Sequence, residues 1–154
     1  MKKVAVFPGS FDPITKGHEE IVCRAAAVFD EVIIAIGRNT SKSALFSEEQ
    51  RLMWIKKTFA NFPNVRTEVF EGLTVDFCRK NDAQHIIRGL RNAGDFEYEI
   101  AIAAMNRTMW DQVDTVFLAA DPRYTALSST IVREIIKNKG DVSQFLPEVV
   151  HVYG

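Results

Sequence analysis

The chain has 154 residues, a formal net charge of -1, 47% hydrophobic and 25% charged residues, the balance of an ordinary soluble globular protein of one-domain size. That charge argues against a general nucleic-acid binder, whose footprint is basic, and no apolar run approaches the length of a membrane span. Cys23 and Cys78 stand far apart with no CxxC or Cys/His cluster, so buried thiols are expected and a structural zinc site is not.

Val4-Ala5-Val6-Phe7 is a short apolar run that reads as a buried strand, and Glu19–Phe29 reads as a helix. No secretory h-region precedes that strand, so the cytoplasm is the expected compartment. Between the two elements lies a polar, Gly/Pro-punctuated loop, Pro8-Gly9-Ser10-Phe11-Asp12-Pro13-Ile14-Thr15-Lys16-Gly17-His18, which sets a histidine in the opening turn of the helix. Val32–Ile36 is a second β-branched run. Ser47-Glu48-Glu49-Gln50 has the form of a capping box, with Ser47 as N-cap and Gln50 reaching back, and opens a helix to about Phe59. Val65–Phe70 is a third strand, Leu73–Asn81 a third helix, and Gln84–Arg88 a short strand centred on Ile86-Ile87. Asp95–Trp110 is a long helix, Thr115–Ala119 a fifth strand and Ser129–Asn138 a fifth helix. Strands alternating with helices imply parallel βαβ units with right-handed crossovers. The expected fold is α/β, a Rossmann-like, doubly wound five-stranded parallel sheet in a single domain spanning residues 1–154.

Ile100-Ala101-Ile102-Ala103-Ala104-Met105 makes the long helix apolar on nearly every face, the pattern of a helix covered on two sides. The second cover is either another subunit or the C-terminal segment.

Ligands of α/β sheets bind beyond the carboxyl ends of the strands, and polar groups reach that edge from four loops. Ser10, Thr15 and His18 follow the first strand, and Asn39 and Lys42 the second. Arg88, Gly89 and Arg91 follow the fourth, with Glu99 on the next helix. Asp121, Tyr124, Ser128, Ser129 and Thr130 follow the fifth. A helix start suits a phosphate, and His18 there can donate to a phosphate oxygen; a capping or surface histidine is the plainer alternative. N-capping alone would explain Thr15, and Gly17 serves either a turn or close approach of a ligand. Arg88 and Arg91 bring two guanidinium forks that match phosphate oxygens; the alternative is a surface pair bridged to Asp95, Glu97 or Glu99. Glu99 would orient an arginine or meet a ribose or base. The hydroxyls at 128–130 either cap their helix or, with its free N–H groups, form a polyphosphate nest, with Arg133 one turn inside. Lys42 lies in a polar loop of the kind where most lysines are simply solvated. The loop after the first strand is neither GxGxxG nor GxxxxGK[ST].

Together these residues resemble the nucleotidylyltransferase superfamily with the [HT]xGH signature. Thr15-Lys16-Gly17-His18 matches the first signature, and Ser128-Ser129-Thr130-Ile131-Val132-Arg133 resembles the second. PGSFDPITKGH, IRGLR at 87–91, DFEYE at 95–99, Asn106-Arg107 and GDVSQFLPE at 140–148 are similar, across almost the whole chain, to the bacterial phosphopantetheine adenylyltransferases. The resemblance implies a homohexameric enzyme that takes ATP, accompanied by Mg²⁺, and 4′-phosphopantetheine to dephospho-coenzyme A and pyrophosphate. Coenzyme A is a candidate inhibitor, and neither nucleic acid nor membrane is a partner. The resemblance makes His18, Lys42 and Arg91 catalytic, with His18 stabilising the transition state of a direct in-line attack and no covalent intermediate. It puts Ser10, Phe11, His18, Gly89, Leu90, Arg91 and Glu99 at ATP, together with Tyr124, Thr125, Ala126, Leu127, Ser128, Ser129 and Thr130. Ser10, Lys42, Thr74 and Arg88 would face phosphopantetheine. The attacking phosphate is already ionised near neutral pH, so no general base is needed, and Mg²⁺ would keep mostly water ligands without a dedicated carboxylate cluster. Two alternatives stand beside this one. Another nucleotidylyltransferase, acting on nicotinate mononucleotide or glycerol phosphate, is disfavoured by IRGLR and DFEYE. A non-catalytic nucleotide-binding regulatory module is disfavoured by the retention of His18, Lys42, Arg88 and Arg91. Three positions depart from the family pattern: Ser10 where Thr is frequent, Thr74 where a larger apolar residue is usual, and an end at Gly154 where many members continue a C-terminal helix.

Overall fold

The computed structural model describes residues 1–38 and 43–153, so Asn39 and Lys42, singled out above, lie outside the described residues. Five strands, β1 (Val4–Gly9), β2 (Glu31–Gly37), β3 (Val65–Phe70), β4 (His85–Leu90) and β5 (Asp114–Ala119), form one sheet. Between and after them run α1 (Lys16–Val28), α2 (Glu48–Thr58), α3 (Thr74–Lys80), α4 (Ala93–Met109) and α5 (Ser129–Lys137). All pairings are parallel and the strand order is β3-β2-β1-β4-β5, the doubly wound Rossmann-like order. Side chains alternate across the sheet. Ala5, Phe7, Val32, Ile34, Ile36 and Ile87 pack with α1, α2 and α5, while Val4, Val6, Ile33, Ala35 and Ile86 pack with α3.

The strands run further than their apolar runs suggest, because pairing does not need an apolar side chain. Gly9 is still in register with Ile36, and Gly89 and Leu90 pair with Leu118 and Ala119. Gly89 and Leu90 therefore belong to a strand end and not to the loop after it. α1 begins at Lys16 and not at Glu19, because Thr15 caps it. At α2, Ser47 accepts from the Gln50 amide (3.1 Å), but the full reciprocal capping box is found at α1.

The sheet divides where the winding reverses. β1 follows β2 to Gly9, and β4 follows β5 to Leu90, but β1 and β4 pair only at Ala5–His85 and Val6–Ile86. Beyond that point they part, which is how an open parallel sheet makes a crevice at its switch point. The β1–α1 loop lies over the crevice, with Phe11, Asp12, Ile14 and Thr15 all buried. Its carbonyls, and that of Pro8 near the end of β1, are held by side chains from elsewhere. Pro8 accepts from Arg88 (2.9 Å), Ser10 from Arg51 (2.8 Å), Asp12 from Arg133 (2.9 Å) and Pro13 from the Ser129 hydroxyl (2.8 Å). The Asp12 carboxylate in turn accepts from the amides of Leu45 and Phe46 (2.8 and 3.0 Å), fixing the approach to α2.

The C-terminal segment packs Val142, Leu146 and Val150 into the core that holds α1, α2 and α5. It leaves α4, on the other side, uncovered. Of α4's residues only Glu99 is buried, while Phe96, Tyr98, Ile100, Ile102, Met105 and Met109 are exposed. Of the two covers considered for this helix, the C-terminal segment is ruled out. Cys78 is fully buried and its thiol is pushed up to about 12 by desolvation, whereas Cys23 is only half-buried.

Replacing Asp12 with Ala leaves two amides beside a buried loop without their acceptor. A loss of about 2–4 kcal/mol in stability is expected, read as a lower urea midpoint with an unchanged slope.

Candidate active site

Two clefts open at the carboxyl edge of the sheet. One, of about 450 Å³, lies between the starts of α1 and α5 and contains Ser10, His18, Gly89, Arg91 and Ser128–Thr130. The other, of about 580 Å³, lies between α3 and α4 and is lined by Arg38, Phe70, Thr74 and a stripe of α4. Pro8, Gly9, Ser10, Arg88 and Glu99 line both. These five residues are thus the wall that the two clefts share.

His18 stands three residues after the cap of α1. Its amide donates to Thr15 Oγ1 (3.3 Å), and its Nδ1 accepts from the Thr15 amide (3.0 Å), which closes the capping box. An amide can only donate, so Nδ1 is unprotonated and the proton of the neutral ring sits on Nε2. Burial first, then the charges of Arg88 and Arg91, hold the pKa down to about 4, so the ring is neutral at physiological pH. Its wall is aromatic, with Phe11 at 4.9 Å and Phe7 at 6.2 Å between ring centroids. Phe11 reaches that place through a positive φ of 48°, and a Cβ on Gly9 would stand 3.1 Å from its ring. The result is an uncharged Nε2–H donor in the first cleft, for which no described residue is an acceptor.

The arginines are held in place by carboxylates, the pairing foreseen as the alternative to phosphate binding, yet both still line the first cleft. Arg88 grips Glu99 with Nε and Nη2 (both 2.8 Å) and reaches Pro8 across the strand gap. Both oxygens of Glu99 are thus taken by an arginine. Arg91 donates from its amide and Nε to Asp95 (2.9 and 3.1 Å) and from Nη1 to the Leu127 carbonyl (3.4 Å). That guanidinium keeps the Asp95 carboxyl below its ordinary range.

At the start of α5 each hydroxyl has a structural task as well. Ser128 caps Ile131 (3.2 Å), Ser129 holds Pro13, and Thr130 accepts from Arg133 (3.2 Å). The amides of Ser129 and Thr130 have no acceptor among the described residues and remain available to an anion. Tyr124 and Leu127 line this cleft, but Leu90, Thr125 and Ala126 do not. Phe11 lines it too, although its ring is buried in packing. A Cβ on Gly17 would meet Thr15, Leu127 and Tyr124 at ordinary contact distances (3.4–3.8 Å), so packing does not require glycine there. Asp12, Asp95, Glu99 and Asp121 are all engaged with protein donors, and the described residues contain no cluster of three or more His, Cys, Asp or Glu suited to a metal.

Sequence reasoning missed most of the second cleft. Arg38 directly follows β2 and Phe70 ends β3, at the same edge as the residues that were singled out, so the edge rule reaches them. Arg38 is braced there by Glu48 (2.6 and 3.0 Å) and Glu71 (3.0 Å). Tyr98, Ile102 and Asn106 follow each other at i, i+4 and i+8, with Glu99 and Ala103 beside them. One stripe of the all-round apolar helix thus faces a cavity.

A parallel sheet with a free helix start and two arginines beside its switch point is the architecture of a nucleotide-binding α/β protein. The family model of cytidylyltransferase-like proteins matches residues 6–135. A phosphopantetheine adenylyltransferase of Flavobacterium psychrophilum is 49% identical over 148 residues, covering 96% of this chain and 97% of that one. Those of Cytophaga hutchinsonii and Levilactobacillus brevis are 48% and 46% identical over 147 residues, covering 96% of this chain and 98% and 91% of theirs. The chain is an enzyme of the phosphopantetheine adenylyltransferase family. A solved structure of a candidate nicotinate-nucleotide adenylyltransferase from Vibrio parahaemolyticus superposes with a TM-score of 0.67 at 19% identity, covering 95% of this chain and 94% of that one, and shares the fold.

The depressed pKa of His18 has a stability consequence. The unfolded chain takes up this proton near pH 6.5, the folded one only near 4, so folding loses stability as pH falls through that window. A shift of this size corresponds to roughly 3 kcal/mol at its limit. Urea unfolding at pH 7 and pH 4.5 should show a smaller acid loss in His18→Gln, which keeps the helix cap, than in the wild type. Equal losses would mean that the ring titrates normally.

Proposed function

We propose that the enzyme transfers the adenylyl group of MgATP to 4′-phosphopantetheine, releasing pyrophosphate and forming dephospho-coenzyme A, the penultimate step of coenzyme A synthesis. The observation that carries this reading is the pair of clefts meeting at Ser10 and Arg88. A transfer between two phosphates needs two chambers with one shared point, and the relatives named above are phosphopantetheine adenylyltransferases. ATP takes the cleft between α1 and α5, its β- and γ-phosphates at the Ser129 and Thr130 amides and Arg91. The acceptor takes the cleft between α3 and α4, its phosphate toward Arg88 and its pantetheine arm along Thr74, Tyr98 and Ile102; Lys42 is assigned to that phosphate by family resemblance alone. The phosphate oxygen attacks the α-phosphorus in line with the departing pyrophosphate. Positioning and charge neutralisation supply the rate.

His18 acts as a neutral donor. Its Nε2–H meets an α-phosphate oxygen as negative charge builds up there, and the Thr15 amide fixes the tautomer. Because the cleft's carboxylates are all engaged, the Mg²⁺ that arrives with ATP is held by phosphate and water oxygens. Coenzyme A carries the same arm and an adenylate, which suits it to compete at both clefts. The substrates are cytoplasmic metabolites, and among the described residues no helix is long and apolar enough to cross a membrane. A homo-oligomer, a hexamer by family resemblance, is proposed on the uncovered apolar face of α4.

The decisive assay is pyrophosphate release from MgATP, with and without 4′-phosphopantetheine. Release should require the acceptor, and His18→Ala should lower kcat by about 10²–10³, as for one lost oxyanion donor. Release that ignores the acceptor, or a near-normal kcat in the variant, would refute the assignment.

For the assembly, Ile100→Glu with Met105→Glu should convert an oligomer to single chains in sedimentation velocity. Ala103 is unsuitable for this purpose because it lines the acceptor cleft. An unchanged sedimentation coefficient would remove α4 from the interface.

A further inference from the structure

Resting on the reading just given, we propose that Glu99 is a positioning residue that aims Arg88 at the acceptor phosphate, and that its effect on the reaction runs through that arginine. A carboxylate beside a place where two polyanions must come together is electrostatically unfavourable, so its presence needs a geometric reason. The structure supplies one. Each oxygen of Glu99 accepts from a different nitrogen of Arg88 at 2.8 Å, and Glu99 is the single buried residue of α4, 8% exposed. Arg88 has five N–H bonds. Among the described residues two go to Glu99 and one to Pro8, which leaves two, one on each terminal nitrogen. The guanidinium is thus clamped on its Nε side by α4 and tied to β1 across the strand gap, with one free N–H per terminal nitrogen for a ligand. A fork held in this way binds a phosphate without losing further side-chain freedom. Because the pair stands on the partition between the clefts, its orientation is felt where the two phosphates meet.

The sign of the effect separates this role from the alternatives. If Glu99 merely repelled anions, removing its charge would tighten phosphate binding. If it were a ligand of the nucleotide, its loss would weaken ATP. If it positions Arg88, its loss weakens the acceptor alone. Calorimetric titration of the full-length chain with 4′-phosphopantetheine alone, and with a non-hydrolysable ATP analogue alone, distinguishes the three. Glu99→Gln should weaken phosphopantetheine about tenfold and leave the ATP analogue within about twofold. Glu99→Asp keeps the charge but is one methylene shorter, and should show the same loss. Arg88→Lys keeps the charge but has no fork; Glu99→Gln added to it should cost nothing more, since both changes remove one interaction. Urea midpoints of all variants separate these losses from unfolding. Tighter phosphopantetheine binding in Glu99→Gln, a loss confined to the ATP analogue, or additive losses in the double variant would each overturn the proposal. A wild-type chain that binds the ATP analogue but not phosphopantetheine would instead overturn the proposed reaction, and this inference with it.

Discussion

The β1–α1 loop is buried at the mouth of a parallel sheet, where no neighbouring strand is available to satisfy its carbonyl groups, and almost everything in the site follows from how they are satisfied. Buried carbonyls without partners are costly. Here side chains from α2 and α5 supply the donors, with Arg51, Arg133 and Ser129 each taking one carbonyl, while Arg88 of β4 takes that of Pro8 near the end of β1. The same contacts that pay for the loop's burial fix the distances between β1, β4, α1 and α5. The crevice between β1 and β4 is therefore held open and braced at once. His18 and Ser10 inherit their places from this bracing.

The electrostatics of the crevice are those of restrained cations. Two polyanionic substrates call for positive charge, but free arginines would be floppy and strongly hydrated. Arg88 and Arg91 are instead each tethered by one carboxylate, Glu99 and Asp95, in a fork-to-fork or near-fork geometry. Part of their charge is neutralised, and what remains is oriented. Their field also reaches His18 and, with burial, keeps its ring neutral. A charged histidine would add attraction for the ground-state phosphate as well. In the mechanism proposed above, a neutral donor at a fixed tautomer would let the gain fall on the charge that develops during transfer.

α4 ties three requirements together. One stripe lines the cleft between α3 and α4, Glu99 reaches into the partition, and the rest of its apolar surface is uncovered in the single chain. A helix whose one buried residue is a carboxylate is held poorly by its own protomer. Cover from a second copy would steady it, and through Glu99 would steady Arg88.

The order and kind of the elements were legible in the residues because alternation at period two and helical spacing are local properties of the chain. The five strands, the five helices and the edge on which His18, Arg88, Arg91 and the 128–130 hydroxyls gather could all be read without coordinates. Strand ends were misjudged where pairing outran apolarity, as at Gly9 and Leu90, and the cap of α1 was only half recognised, since histidine is an unusual third member of a capping box. Nothing in the order of residues says that Arg88 takes Glu99 while Arg91 takes Asp95, that Asp12 serves two amides of another loop, or that the second cleft exists along Tyr98, Ile102 and Asn106. Those outcomes rest on contacts between segments far apart in the chain, whose partners are chosen by packing and by the need to satisfy every buried polar group together. Periodicity names a helix and its faces; which face meets a cavity, a neighbour or water is settled only when the other elements have taken their positions around it.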